Sequence, residues 1–199
     1  LYRKYWYKSG TNATMTNELM GIAKKAQDTM NLKKGDVFVD IGCNDGTLFK
    51  FVDKNGNKIY YVDPFDLPAQ AGLKKSELEK ADLIFITHAH QDHCSFEDIK
   101  KILKDDSVLI APPDCLEKID VKNQKVNVEP NQSYEVKGFK FWTFPAYNIN
   151  KPFHPKENKW VGYFFNINDT KIYHAGDTDF IPEMNNLKEM NLDVAMLPI

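Results

Sequence analysis

The sequence predicts an α/β fold, and three observations carry that reading. Short β-branched and aromatic runs recur along the chain, and helical periodicities lie between them. The 199 residues, 42% hydrophobic and 27% charged, suit a globular domain, or one domain with a fragment attached. Met15, Leu19, Ile22, Ala23, Ala26 and Met30 fall at helical spacing and predict an amphipathic helix over 13–30, which Lys33-Lys34-Gly35 breaks. Val37–Ile41 reads as a buried strand, Gly42–Gly46 as a turn and Thr47–Val52 as a short helix. Lys54-Asn55-Gly56-Asn57 is a turn signal, followed by a strand at Ile59–Val62 that ends in Asp63-Pro64. Further strands are expected at Leu83–Ile86, Val108–Ile110, Phe139–Phe144, Gly162–Ile167, Lys171–Tyr173 and Val194–Leu197. Ser95–Leu103 reads as a helix opened by Ser95-Phe96-Glu97-Asp98, an approximate capping box. The hairpin-rich middle is not a simple alternating βαβ chain.

Composition excludes several classes of partner. The net charge is −2, which leaves no basic footprint for nucleic acid and no polybasic membrane patch. No apolar run approaches the roughly 20 residues of a membrane span. The opening Leu1-Tyr2-Arg3-Lys4-Tyr5-Trp6 is too charged and aromatic for a signal peptide. Cys43, Cys94 and Cys115 are odd in number and widely spaced, so they form no disulfide framework and point to a cytoplasmic setting. The expected partner is a small-molecule substrate.

Chemistry concentrates in Thr87-His88-Ala89-His90-Gln91-Asp92-His93, directly after a predicted strand. Three of the chain's five histidines sit here. Imidazole nitrogen and carboxylate oxygen are the donors of catalytic zinc-like sites. The two-residue spacing of His88 and His90 lets a turning loop aim both at one ion, while Asp92 and His93 can face a second. Cys94 follows directly, either as an incidental buried thiol or as a competing donor. Further on, Gly176 permits a tight turn that puts the Asp177 carboxylate at a strand end, where it can bridge two cations. The other reading of this turn is a helix N-cap before Phe180-Ile181-Pro182.

The histidine motif and the Gly176-Asp177-Thr178 turn together resemble the metallo-β-lactamase superfamily. Val62-Asp63-Pro64-Phe65, Pro145-Ala146-Tyr147-Asn148, His154-Pro155 and Trp160-Val161-Gly162-Tyr163 resemble its lactonase-like branch. The resemblance covers about residues 57–199 and implies layered sheets with flanking helices. It implies that His88, His90 and His154 bind a first metal, that Asp92 and His93 bind a second, and that Asp177 bridges. Zinc is the expected ion, with iron and manganese as alternatives. The implied activity is attack by metal-activated hydroxide on an ester, lactone or phosphoester, with Asp92 orienting the water or protonating the leaving group. His174 is expected to be a neighbour, not a ligand. The chain lacks the family's Gly-His segment before the Asp-Pro strand and stops before its last metal-ligand histidine. Together with Leu1 in place of Met, this predicts a fragment with a weakened second site.

The first residues carry a different resemblance. Asp36-Val37-Phe38-Val39-Asp40-Ile41-Gly42-Cys43-Asn44-Asp45-Gly46-Thr47-Leu48 resembles the cofactor loop of S-adenosylmethionine-dependent methyltransferases. Tyr7–Asn12 resembles the segment before that loop in the sugar C-methyltransferases. A strand, a glycine turn and a helix N-terminus form the ligand cradle, so an N-terminal Rossmann-like βαβ unit is expected. Asp40, Gly42, Gly46 and Asp63 would contact S-adenosylmethionine, Asp63 lying at the spacing of a ribose-binding acid. The expected division is therefore a methyltransferase-like segment over 1–56 and a metallo-β-lactamase-like segment over 57–199. The alternatives to a metal-dependent hydrolase are an S-adenosylmethionine-binding methyltransferase-like fragment and a non-catalytic engineered chimera of the two.

Overall fold

A computed structural model describes residues 12–30, 33–42, 47–52, 56–65, 67 and 78–198. Gly46 and most of the predicted 42–46 and 54–57 turns lie outside these residues, as does the segment before Asn12. The chain divides into two compact units. The first holds residues 1–85, 90–109 and 122–124, and the second 86–89, 110–121 and 125–199.

The first unit is built on parallel strands. β1 (Val37–Ile41) pairs with β2 (Lys58–Val62) in the register Val39↔Tyr60, and β2 pairs with β3 (Leu83–Phe85) in the register Tyr60↔Leu83. These strands are nearly continuous apolar runs because both faces are covered; Tyr61, Val62 and all of β3 are fully buried. Phe49, in a 3-10 helix at Thr47–Phe51, meets Tyr61 edge-on at 4.9 Å. The expected helix over 13–30 forms as α1 (Ala13–Met30), and its Gln27 side chain donates to the Phe51 carbonyl at 3.0 Å. α2 (Phe96–Ile102) opens as its sequence implies, with the Ser95 side chain accepting from the Asp98 amide. It buries Ile99 and Ile102. β4 (Val108–Ala111) and β5 (Gln124–Asn127) complete a five-stranded sheet in the order β1-β2-β3-β4-β5.

The second unit contains a sheet in the order β10-β9-β8-β7-β6. β6 (Ser133–Val136), β7 (Phe139–Pro145), β8 (Val161–Ile167) and β9 (Thr170–His174) are antiparallel, and β10 (Val194–Met196) joins β9 in parallel. Lys137-Gly138 and Asn168-Asp169 have positive φ at both positions, the twist that tight two-residue hairpins require. Phe141, Tyr163 and Phe165 are fully buried. The Tyr163 hydroxyl reaches the carbonyls of Ile86 at 2.8 Å and Ile110 at 3.2 Å, tying the hairpin to the segment that leads into the histidine motif. A second cluster, Tyr147, Tyr173, Ala175, Ile181, Met184 and Leu187, packs beneath the Asp177 turn.

Five elements among the described residues lay outside the sequence reading: β5, β6, the short α3 (Pro113–Glu117) and 3-10 helices at Lys156–Asn158 and Pro182–Met190. β5 and β6 read as polar because most of their residues face water. The Pro182–Met190 helix starts from Ile181, so Asp177 is not its N-cap. Among the described residues, no helix is long and apolar enough to cross a membrane.

The buried Tyr60 hydroxyl offers a check on the first unit. Burial, reinforced by the nearby Asp82 charge, pushes it from 10.0 up to about 12. The folded chain therefore holds this proton at pH values where the unfolded chain has lost it. Its stabilising contribution is complete below pH 10 and is lost as pH rises toward 12, by at most about 1.4 kcal/mol per pH unit. Tyr60→Phe is expected to flatten the fall in denaturant-measured stability between pH 10 and 12.

Candidate functional site

In the second unit, the strand leading out of β3 ends at Thr87-His88. The Val161 amide donates to the Thr87 carbonyl at 3.1 Å, which fixes this exit against β8. His88 is 1% exposed, and its Nδ1 shares a 2.9 Å hydrogen bond with Thr87 Oγ1. That bond sets the ring so that Nε2 lies 3.9 Å from Asp177 Oδ2. His154, 5% exposed, places its own Nε2 3.9 Å from the same oxygen. The two imidazoles meet edge-on with centroids 4.7 Å apart. Trp160 backs both, its ring 5.0 Å from each, and its indole N–H donates to Asp114 at 2.8 Å. The sequence singles out Trp160 by resemblance only, and nothing in it marks Asp114 as the tryptophan's partner.

The backbone is bent to make this convergence. His154 has φ +56, a left-handed conformation that only surrounding structure can hold in a non-glycine residue. Gly176 has φ +63, and a Cβ there would sit 3.0 Å from the Thr87 Cβ. It is therefore required both for the turn and for the close approach of the Asp177 loop to the His88 strand. Gly162 is confined in the same way, since a Cβ would come within 2.8 Å of the His174 carbonyl oxygen.

The first unit carries the rest of the motif. The His93 and Cys94 amides donate to the His90 carbonyl at 3.1 and 2.7 Å, rolling residues 90–94 into one turn. His90 and Asp92 are exposed on it and Cys94 is buried. The buried Asp63 carboxylate bonds His93 Nδ1 at 3.0 Å, and His93 Nε2 lies 3.8 Å from Asp92 Oδ2. A carboxylate on one ring nitrogen, which fixes the tautomer and aims the other, is the arrangement found behind metal-ligating histidines. Asp63, which the sequence reading gave as a ribose contact, thus sits against the histidine motif. Asp40 lies in β1, and Gly42 turns at φ +63 after it. His174 stays in β9, opposite Tyr163.

The donor chemistry fits a divalent ion. Ligand nitrogens and oxygens about 2.0–2.2 Å from a common ion are roughly 3.4 Å apart in a tetrahedron. The two 3.9 Å gaps, His88 to Asp177 and His154 to Asp177, need only a small contraction to reach that. Asp177 is 43% exposed, so one side of this group is open to solvent.

The fold is α/β, with two buried histidines facing one carboxylate. The chain belongs to the beta-lactamase superfamily domain family, whose model matches residues 57–199. It is 34% identical over 149 residues to a UPF0173 metal-dependent hydrolase of Thermococcus onnurineus, covering 72% of this chain and 66% of that protein. It is 30% identical over 160 residues to one of Anoxybacillus flavithermus, covering 74% of this chain and 68% of the relative. A crystal structure of a putative metal-dependent hydrolase from Parabacteroides distasonis superposes with a TM-score of 0.59 at 30% identity, over 70% of this chain and 61% of that one. The chain thus spans just under two thirds of the length of the Thermococcus protein. The family match starts at residue 57 and lends no support to a methyltransferase-like or chimeric reading of the preceding segment.

Gly176→Ala is expected to destabilise the chain by about 1–3 kcal/mol, combining the left-handed backbone cost with the crowding at Thr87. Chemical denaturation with the metal-free chain measures it, and a change below about 0.5 kcal/mol would contradict the turn's proposed constraint.

Proposed function

We propose that this chain carries the metal-binding and catalytic portion of a metal-dependent hydrolase acting on an ester, lactone or phosphoester. The observation that carries the reading is the approach of two buried imidazole nitrogens to one carboxylate oxygen, each at 3.9 Å. The shared name of the relatives, metal-dependent hydrolase, supports it. His88, His154 and Asp177 are the proposed donors in the second unit, and His90, Asp92 and His93 are the proposed donors in the first. Zinc suits this nitrogen and oxygen set, as do iron and manganese.

A bound divalent ion supplies Lewis acidity and lowers the pKa of a coordinated water toward neutrality. The chain's own side chains do the rest. Thr87 and Asp63 hold the His88 and His93 rings by their Nδ1 atoms, so that Nε2 is the nitrogen presented in each. Trp160 and the buried walls around His88 and His154 keep those donors dry, which strengthens their electrostatic reach. Asp92, exposed on its turn, is the proposed acceptor of a proton from water or donor of one to the leaving group.

S-adenosylmethionine binding by Asp40, Gly42, Gly46 and Asp63 is the weaker reading, because Asp63 is buried and bonded to His93.

The test is turnover of chromogenic carboxylic esters, lactones and phosphodiesters. Chelator-stripped protein is expected to lose at least about a hundredfold in kcat/KM and to regain it on adding zinc or manganese. Turnover unaffected by stripping would overturn the proposal. Asp63→Asn keeps the shape of the His93 partner but not its charge, and is expected to weaken metal affinity by about 10–100-fold. Competition with a chromogenic chelator reads that change.

A further inference from the structure

The segment carrying His154 is long, runs between β7 and β8, and is polar enough to wander. It is nevertheless fastened at many points to the residues following Asp177, all within the second unit. At its base the Ala146 amide donates to the Trp160 carbonyl at 2.9 Å. The Tyr147 amide donates to Thr178 Oγ1 at 3.0 Å, and the Asp179 amide to the Tyr147 carbonyl at 3.0 Å. The Ile149 amide donates to Asp179 Oδ2 at 2.8 Å, and the Lys151 ammonium pairs with the other oxygen of that carboxylate. On the far side of the histidine, Lys156 donates to Glu183 Oε1 at 2.6 Å. The Tyr147 hydroxyl donates to Glu183 Oε2 at 2.8 Å, with the Lys156 ammonium 4.7 Å over the Tyr147 ring. Within the loop, the Asn148 amide donates to the His154 carbonyl at 2.8 Å.

These contacts have a common geometry. One lysine lies three residues before His154 and the other two residues after it. Each is paired with a carboxylate on the stretch beginning at Asp177, namely Asp179 and Glu183. The lysines therefore bracket His154, both carboxylates follow Asp177, and the pairs join the two loops on either side of the histidine. Both lysine side chains are about half exposed, so the pairs add little to folding stability. Their position matters more than their strength, because they fix the two backbones on which His154 Nε2 and Asp177 Oδ2 approach to 3.9 Å.

We propose that the Lys151–Asp179 and Lys156–Glu183 pairs, with Tyr147 between them, are positioning residues that set the separation of His154 and Asp177 and thereby the affinity and coordination geometry of the bound ion. This rests on the metal reading above. Neither pair supplies a donor itself.

The test uses the metal-free full chain titrated with cobalt(II), whose visible absorption reports coordination geometry as well as occupancy. A Lys151→Met/Lys156→Met double variant is expected to bind cobalt about tenfold more weakly and to show an altered visible band. Its metal-free melting temperature should stay within about 3 °C of the unmodified chain. Exchanging one pair, Lys156→Glu with Glu183→Lys, should bring cobalt affinity back to within about threefold of the unmodified chain, since the bracket is re-formed with its charges reversed. Unchanged affinity and spectrum in the double variant would overturn the proposal. So would a weakening matched by a metal-free melting temperature lowered by more than about 5 °C, which marks a general folding defect. If the unmodified chain takes up no cobalt, the metal reading itself fails, and the control shows this before any variant is compared.

Discussion

The second unit is organised around one constraint: two imidazoles, almost wholly withdrawn from water, must face a single carboxylate oxygen. Burying polar rings without purpose is costly, and the fold meets that cost with local partners. Thr87 takes one ring nitrogen of His88, and Trp160 walls both rings while its own indole is satisfied by Asp114. Tyr163, reaching from β8 to the carbonyls of Ile86 and Ile110, steadies the strand that delivers His88. The hairpin sheet thus acts as a scaffold for one loop and one turn.

Left-handed backbone occurs at the candidate ligands as well as at turns elsewhere. Positive φ at His154, at Asp63 and at Gly176 places left-handed backbone at three residues that hold or support the candidate ligands. Such conformations persist only where neighbouring structure determines them. Here the neighbours are identifiable: the Tyr147–Thr178–Asp179 bonds for His154, the His93 ring for Asp63, and the packed Thr87 side chain for Gly176.

Much of this was legible in the residues, and the rest was hidden for physical reasons. The motif from His88 to His93 shows itself because four donors in six residues, after an apolar strand, have few structural uses. Strands with apolar runs or alternation were visible, as was α2 through its Ser95 cap. β5 and β6 were not, because exposed polar side chains interrupt their few apolar ones. The contact of Asp63 with His93 was not legible, because an acidic residue at a strand end fits two roles equally well. Only the fold shows that His93 lies on its side chain. The lysine–carboxylate pairs around His154 were invisible, since their partners stand 27 and 28 residues apart in sequence.

The central claim is that these donors hold metal, and its most direct test is metal content per chain by elemental analysis. The protein should be purified without chelator and without metal-affinity capture. One to two equivalents of zinc, iron or manganese are expected in the unmodified chain, with a clear loss in His88→Ala and in Asp177→Ala. A folded chain that carries no divalent metal, and takes none up on dialysis against zinc or manganese, would contradict it.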